Sequence, residues 1–120
     1  MHRDLEHRTF DFACEIARLC TYLMTRGPVV RQLSRELLDA GTSIGANYEE
    51  AIAAQSRPDF VSKCSISRKE ARETRYWLRV IATCDPDTAQ RVSPLVVEVG
   101  ELVAVIGAVV RNARLNLARR

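Results

Sequence analysis

"QSRPDFVSKCSISRKEARETRYWLRVI", residues 55–81, decides the fold. Ser56-Arg57-Pro58-Asp59 has the form of a helix start: a capping hydroxyl, a proline in the first turn, and an acid three residues after the cap. From there Phe60, Cys64, Ser67, Ala71, Thr74, Leu78 and Ile81 recur at spacings of three and four, which puts them on one helical face. The pattern stops near Cys84-Asp85-Pro86, so one helix fills about residues 57–83.

Working outward toward the N-terminus, Val30, Leu33, Leu37, Ala40, Ile44, Asn47, Ala51 and Ala54 mark a helix over about residues 29–55. Gly27-Pro28 separates it from another, over about 4–25, whose core line is Phe12, Ile16, Leu19 and Leu23. Toward the C-terminus, Pro86 can open a short turn, and Ser93-Pro94 reads as the start of a helix over about 94–118. Leu95, Val99, Leu102, Ile106, Val109 and Ala113 form its first apolar line; Val96, Val103, Val110 and Leu117 form a second. Leu95–Val99 alone could be a strand, but Glu98, Glu101 and the sustained period favour helix. Four helices with short connections predict an all-α fold, an antiparallel up-down-up-down four-helix bundle, with residues 1–120 as one domain.

The chain has 47% hydrophobic and 28% charged residues, an ordinary globular balance that supports one modest core. Its start lacks the apolar run of a signal peptide, and Leu102 to Val110 is about half the length that spans a bilayer. The expectation is a cytoplasmic protein with no membrane contact. Cys14, Cys20, Cys64 and Cys84 lie far apart, and His2 and His7 both sit near the N-terminus. That scatter argues against a zinc site, and no metal, cofactor or catalytic residue is expected. Glu70 and Glu73, one turn apart, could imitate half of a di-iron site, but such bundles also need Glu-x-x-His pairs.

Two polar features stand out. "SIGANYEEA", residues 43–51, places Asn47 on the core line, where an unpaired amide costs about 1–3 kcal/mol. Such a residue fixes helix register or belongs to a ligand site. Ala40, Gly41, Gly45 and Ala46 would let a neighbouring helix approach closely, while Glu49 and Glu50 point away from the core line.

The second feature is arginine. Sixteen of the eighteen basic residues are Arg, a bias that suits phosphate recognition and that a GC-rich genome would produce equally. Arg68, Arg72, Arg75 and Arg79 form a stripe beside the core line of the third helix. Arg111, Arg114, Arg119 and Arg120 make an acid-free C-terminal end. The stripe is either a set of salt bridges or a nucleic-acid surface. Lys63, Glu70, Glu73 and Trp77 lie on the opposite flank, and Tyr76-Trp77 predicts an exposed apolar patch of the kind found at interfaces. With the double apolar line of the last helix, it predicts a homo-oligomer. No aromatic is expected to interleave with the arginine stripe.

Residues 43–81, "SIGANYEEAIAAQSRPDFVSKCSISRKEARETRYWLRVI", closely resemble the four helix bundle proteins also called 23S rRNA intervening-sequence proteins. Phe12, Ala13, Ile16 and "QLSRELLDAGTSIGANYEEA" fit the same pattern, as do Arg57, Lys63, Ser65, Lys69, Glu70, Glu73, Tyr76 and Trp77. The chain departs with Cys64 and Arg68 where the common pattern is apolar, and with Ala53 and Ala54 after Ile52. The resemblance implies an antiparallel bundle that assembles as a homopentamer, without established enzymatic activity. It also implies kinship to accessory proteins of diversity-generating retroelements, a branch thought to bind nucleic acid through a basic surface.

Within that resemblance Asn47, Glu49, Glu50, Lys69, Glu70, Glu73 and Trp77 look like polar and oligomer contacts joining the second and third helices. Arg68, Arg72, Arg75, Arg79, Arg111 and Arg114 are the candidate nucleic-acid residues. The expected activity is a non-enzymatic oligomeric scaffold, with RNA or DNA as a weak, sequence-tolerant partner. A protein–protein adaptor is the alternative.

Overall fold

The computed structural model describes residues 2–118, with side chains from Asp4 onward. Four helices run in sequence: α1 (His2–Leu23), α2 (Pro28–Ile52), α3 (Arg57–Cys84) and α4 (Ala89–Ala118), with a 3-10 turn at Pro86–Thr88 before α4. They stack side by side in a rod of 53 × 21 × 20 Å. The seams α1–α2, α2–α3 and α3–α4 are extensive, and α1 meets α4 only thinly. The expected all-α four-helix bundle is what forms.

Local chemistry sets the helix ends. Gly27 adopts a φ of 112°, a left-handed conformation that suits glycine, and Pro28 then opens α2. Ser56 caps α3 by accepting from the Asp59 backbone N–H at 3.2 Å, with Pro58 in the first turn. α2 stops at Ile52, three residues short of expectation.

The larger correction concerns α4. Its start is Ala89, not Pro94, because the turn opened by Pro86 runs directly into the helix and Pro94 lies inside it. Pro94 gives up one intrahelical N–H bond there, and both it and Gln90, whose carbonyl loses that donor, are exposed to water. With its preceding turn, α4 is long and apolar enough to cross a membrane by length and composition alone. Here its line Val92, Leu95, Val99, Leu102, Ile106 and Val110 is the bundle core instead.

The predicted lines mostly face inward. Phe12, Ile16, Leu19 and Leu23 of α1 are buried, as are Cys64, Ser67, Ala71, Thr74, Leu78 and Ile81 of α3. Each large apolar side chain among these contributes about 1.5–3 kcal/mol of burial. On α2 the sequence reading missed Ser34 and Tyr48, both buried. Tyr48 is completely buried, and Asn47 beside it is only half-buried.

The small residues of α2 do allow close approach, and α1 is the helix they admit. A Cβ on Gly41 would lie 2.8 Å from Ile16 Cγ2, and one on Gly45 would lie 3.2 Å from the Thr9 carbonyl oxygen. The polar lock between α2 and α3 comes from a different residue than expected. Ser67, wholly buried, donates from Oγ to the Ile44 carbonyl at 2.7 Å.

Candidate nucleic-acid interface

The four arginines of the α3 stripe are spaced four, three and four residues apart, so they share one face and span about 16 Å of helix axis. Arg72 and Arg79 are exposed; Arg68 and Arg75 are half-buried. Arg111 and Arg114, both exposed, rise from the neighbouring stretch of α4. Arg119 and Arg120 lie outside the described residues.

Two adjoining hollows organise these side chains. Ser65, Arg68, Lys69 and Arg72 of α3 and Arg114 of α4 line one of about 250 Å³. Arg72, Arg75 and Arg79, with Glu73 and Tyr76, line the other, of about 480 Å³. Arg72 borders both and makes the basic surface continuous. Arg114 Nη2 reaches across the first hollow to Ser65 Oγ at 3.4 Å.

The ion pairs lie elsewhere. Arg8 bonds Glu98 and Glu101 at 2.9 and 3.0 Å, tying α1 to α4. Arg26 bonds Asp85 in two-pronged fashion at 2.9 and 3.0 Å and reaches Asp87 at 3.3 Å, tying the α1–α2 turn to the end of α3 and the turn that follows it. The Tyr22 ring sits under Arg91 at 3.9 Å and beside Arg26 at 5.8 Å. Among the described residues, no carboxylate pairs with Arg68, Arg72, Arg75, Arg79, Arg111 or Arg114. Among the described residues, then, the stripe is not a set of salt bridges.

Arg68 is the least conventional of them. Its stem lies over Gly107 of α4, where a Cβ would come within 2.9 Å of Nε and 3.5 Å of Cδ. Its Nε is buried and has no hydrogen-bond partner among the described residues. An unmet buried donor costs about 1–3 kcal/mol, more when charged.

Several expectations need correcting. An aromatic does interleave with the stripe: Tyr76, 57% exposed, shares a hollow with Arg72, Arg75 and Arg79. Trp77 is not the exposed partner of a patch. It packs against the core, its ring edge-on to Tyr76 at 5.2 Å and its Nε1 3.4 Å from Glu73 Oε1. Lys69 belongs with the arginines rather than with the acids. Its spacing from Ser65 and Arg72, four and three residues, was the signal that could have placed it there.

Nor do the polar residues of α2 and α3 join within one chain. Asn47 donates from Nδ2 to the Ser43 carbonyl of its own helix at 2.9 Å, so it fixes no register between helices. Glu50 is exposed. Glu49, also exposed, stands beside Glu6 of α1; local desolvation first, then that like charge and a shared hydrogen bond, hold its carboxyl above the ordinary range. Glu70 is held above its range by burial, then by Glu73, with Asp39 of α2 adding to the effect and Lys69 opposing it. Glu70 and Glu73 belong to no group of three His, Cys, Asp or Glu side chains placed to hold a metal, among the described residues. Burial pushes the Cys20 and Cys64 thiols up to about 11, so both are poor nucleophiles at neutral pH.

Known proteins agree with this architecture. The chain is similar to a protein of unknown function from the S23 ribosomal protein family of Bacteroides thetaiotaomicron, 32% identical, with 88% of this chain and 97% of that one covered and a TM-score of 0.80. None of the curated proteins matches. The sequence profile of the 23S rRNA-intervening sequence proteins matches residues 3–108, which take in α1, α2, α3 and most of α4. On that span, and on the bundle it folds into, the chain belongs to the 23S rRNA-intervening sequence protein family.

Proposed function

We propose that this protein is a cytoplasmic, non-enzymatic homo-oligomer, a pentamer, that binds RNA or DNA without sequence preference through the α3–α4 arginine face. One observation carries the reading: Arg68, Arg72, Arg75, Arg79, Arg114 and Lys69 line two adjoining hollows, and among the described residues no carboxylate pairs with any of these arginines. Unpaired guanidinium groups attract phosphate oxygens and present paired donors to them. Tyr76, open to solvent among Arg72, Arg75 and Arg79, adds a stacking face for an unpaired base. No groove-reading motif accompanies them, which supports sequence tolerance. Assembly would repeat the basic face and multiply a weak attraction per subunit.

Self-association is supported by what α4 leaves uncovered. Val97, Val105 and Leu115 are exposed on it, and a hollow of about 540 Å³ opens between its last turns and the α2–α3 connection, lined in part by Ile52, Phe60, Val109 and Ala113. This surface also favours the second reading, a protein–protein adaptor.

The test is native mass together with binding of polyuridine RNA and duplex DNA at two salt concentrations. The expected result is an oligomer that binds at low salt, releases at high salt, and loses affinity in Arg72→Glu/Arg75→Glu. An oligomer that ignores both nucleic acids at low salt overturns the nucleic-acid reading and leaves the adaptor.

A further inference from the structure

We infer that the hollow between α3 and α4 at Ser65, Arg68, Lys69, Arg72 and Arg114 is a discrete site for a single phosphate group. The inference deepens the nucleic-acid reading and rests on it for the source of that phosphate.

Three observations converge here. Ser65, Arg68, Lys69 and Arg72 fall on one face of α3 and share the hollow with Arg114, so four cations and a hydroxyl line it and no acid does. Gly107 forms a notch in α4 that two guanidinium groups fill. Arg68 Nε lies 2.9 Å and Arg111 Nη1 3.5 Å from the point where its Cβ would stand. Like charges converging this closely repel unless an anion joins them. Finally, the Arg68 guanidinium keeps a buried Nε with no acceptor among the described residues.

A phosphate group answers all three conditions. It carries the opposite charge, its tetrahedral oxygens meet guanidinium edges two at a time, and it accepts from a serine hydroxyl and an ammonium as well. The Gly107 notch sets where Arg68 stands, and the Arg114–Ser65 contact, at 3.4 Å, draws the opposite wall inward. This distinguishes the hollow from a diffuse basic surface, which would depend on charge alone.

Gly107→Ala separates the two because it keeps every charge. Alanine is the better helix former by about 1 kcal/mol, and only the far part of the Arg68 side chain must give way. Arg114→Gln is the second variant, should Gly107→Ala disturb the bundle. Arg35→Ala, on the exposed surface of α2, removes a charge elsewhere as a control. Pyrophosphate binding is measured by calorimetry and polyuridine binding by fluorescence anisotropy, both at low salt.

The expected result is that Gly107→Ala or Arg114→Gln weakens pyrophosphate about tenfold or more, the loss of one charge-assisted contact, while Arg35→Ala leaves it unchanged. Loss of both pyrophosphate and polyuridine affinity in these variants identifies the backbone phosphate of a nucleic acid as the source. Pyrophosphate binding without polyuridine binding keeps the site, assigns it to a free phosphate compound, and overturns the nucleic-acid reading. Pyrophosphate binding that survives both variants, or polyuridine binding by the native protein without pyrophosphate binding, overturns the discrete site and leaves a diffuse surface. Binding of neither ligand by the native protein overturns both.

Discussion

Ser67 and Ile44 join α3 to α2 through one buried hydrogen bond, hydroxyl to carbonyl at 2.7 Å, at a level where apolar side chains surround both. The Ile44 carbonyl lies within a continuous helix, so the serine is an added donor at a fully desolvated contact. Ser67→Ala should therefore lower stability by about 1 kcal/mol. Ser67→Val, which also adds volume to a closed site, should cost about 2–4 kcal/mol. Urea unfolding of the two variants checks both values, and equal stability of all three proteins would remove the bond from the account.

Glycine substitutions should divide by what stands opposite. Gly41→Ala meets Ile16 at 2.8 Å and should destabilise, because overpacking of about 1–3 kcal/mol exceeds the helix-propensity gain of about 1 kcal/mol. Nothing stands within 4 Å of a Cβ at Gly100, so Gly100→Ala should stabilise by about 0.5–1 kcal/mol. Thermal melts at fixed protein concentration would show opposite shifts.

Acid should act on stability in two directions. Glu49 and Glu70 titrate above their ordinary value of 4.5 in the folded chain, so folding favours their protonated forms. Stability should rise as pH falls from neutrality through their raised pKa values and level off near 4.5. Asp85 behaves oppositely: its hydrogen bond to Arg26 holds the carboxyl below the ordinary 3.8, so its contribution is present above that value and lost as pH drops through the depressed one. The stability profile should peak in mild acid. Glu49→Gln together with Glu70→Gln should flatten the rise, and Asp85→Asn should remove part of the acid loss.

Tyr76 should matter for unpaired bases and little for duplexes. Tyr76→Ala is expected to weaken polyuridine binding by about 1–3 kcal/mol, the range for one lost stacked base, and to change duplex affinity far less. Equal losses on both ligands would assign Tyr76 to the fold instead.

Much of this molecule was legible in its sequence because α1, α2 and α3 each carry one dominant apolar line between clear stop signals. Ser56-Arg57-Pro58-Asp59 named its own helix start, and the structure places Ser56 as the cap. Pro94 misled because proline marks helix starts more often than interiors, and the solvent-exposed side of α4 tolerates it here. Asn47 and Tyr48, three and four residues after Ile44, fit the period equally well. Packing against α1 and α3 chose the tyrosine.

The candidate site was half legible. The spacing of Arg68, Arg72, Arg75 and Arg79 was plain, but whether they found acids depends on where other helices carry Asp and Glu. Glu98 and Glu101 face Arg8, and Asp85 faces Arg26. That allocation is a property of the assembled bundle. The Gly107 notch was invisible for the same reason, since a helix-interior glycine does not announce which side chain from α3 will lie across it.

The thin α1–α4 seam has a consequence for every experiment that varies salt. Where α1 crosses α4, Arg8 with Glu98 and Glu101 supplies polar fastening that ions in solution weaken, whereas the other three seams are broad. High salt should therefore weaken this α1–α4 fastening, while the broad α1–α2 seam holds, at the same time as it would detach a polyanion from α3. Amide hydrogen exchange along α1 would register the first event separately, and a salt titration read without it would conflate a breathing protein with a departing ligand.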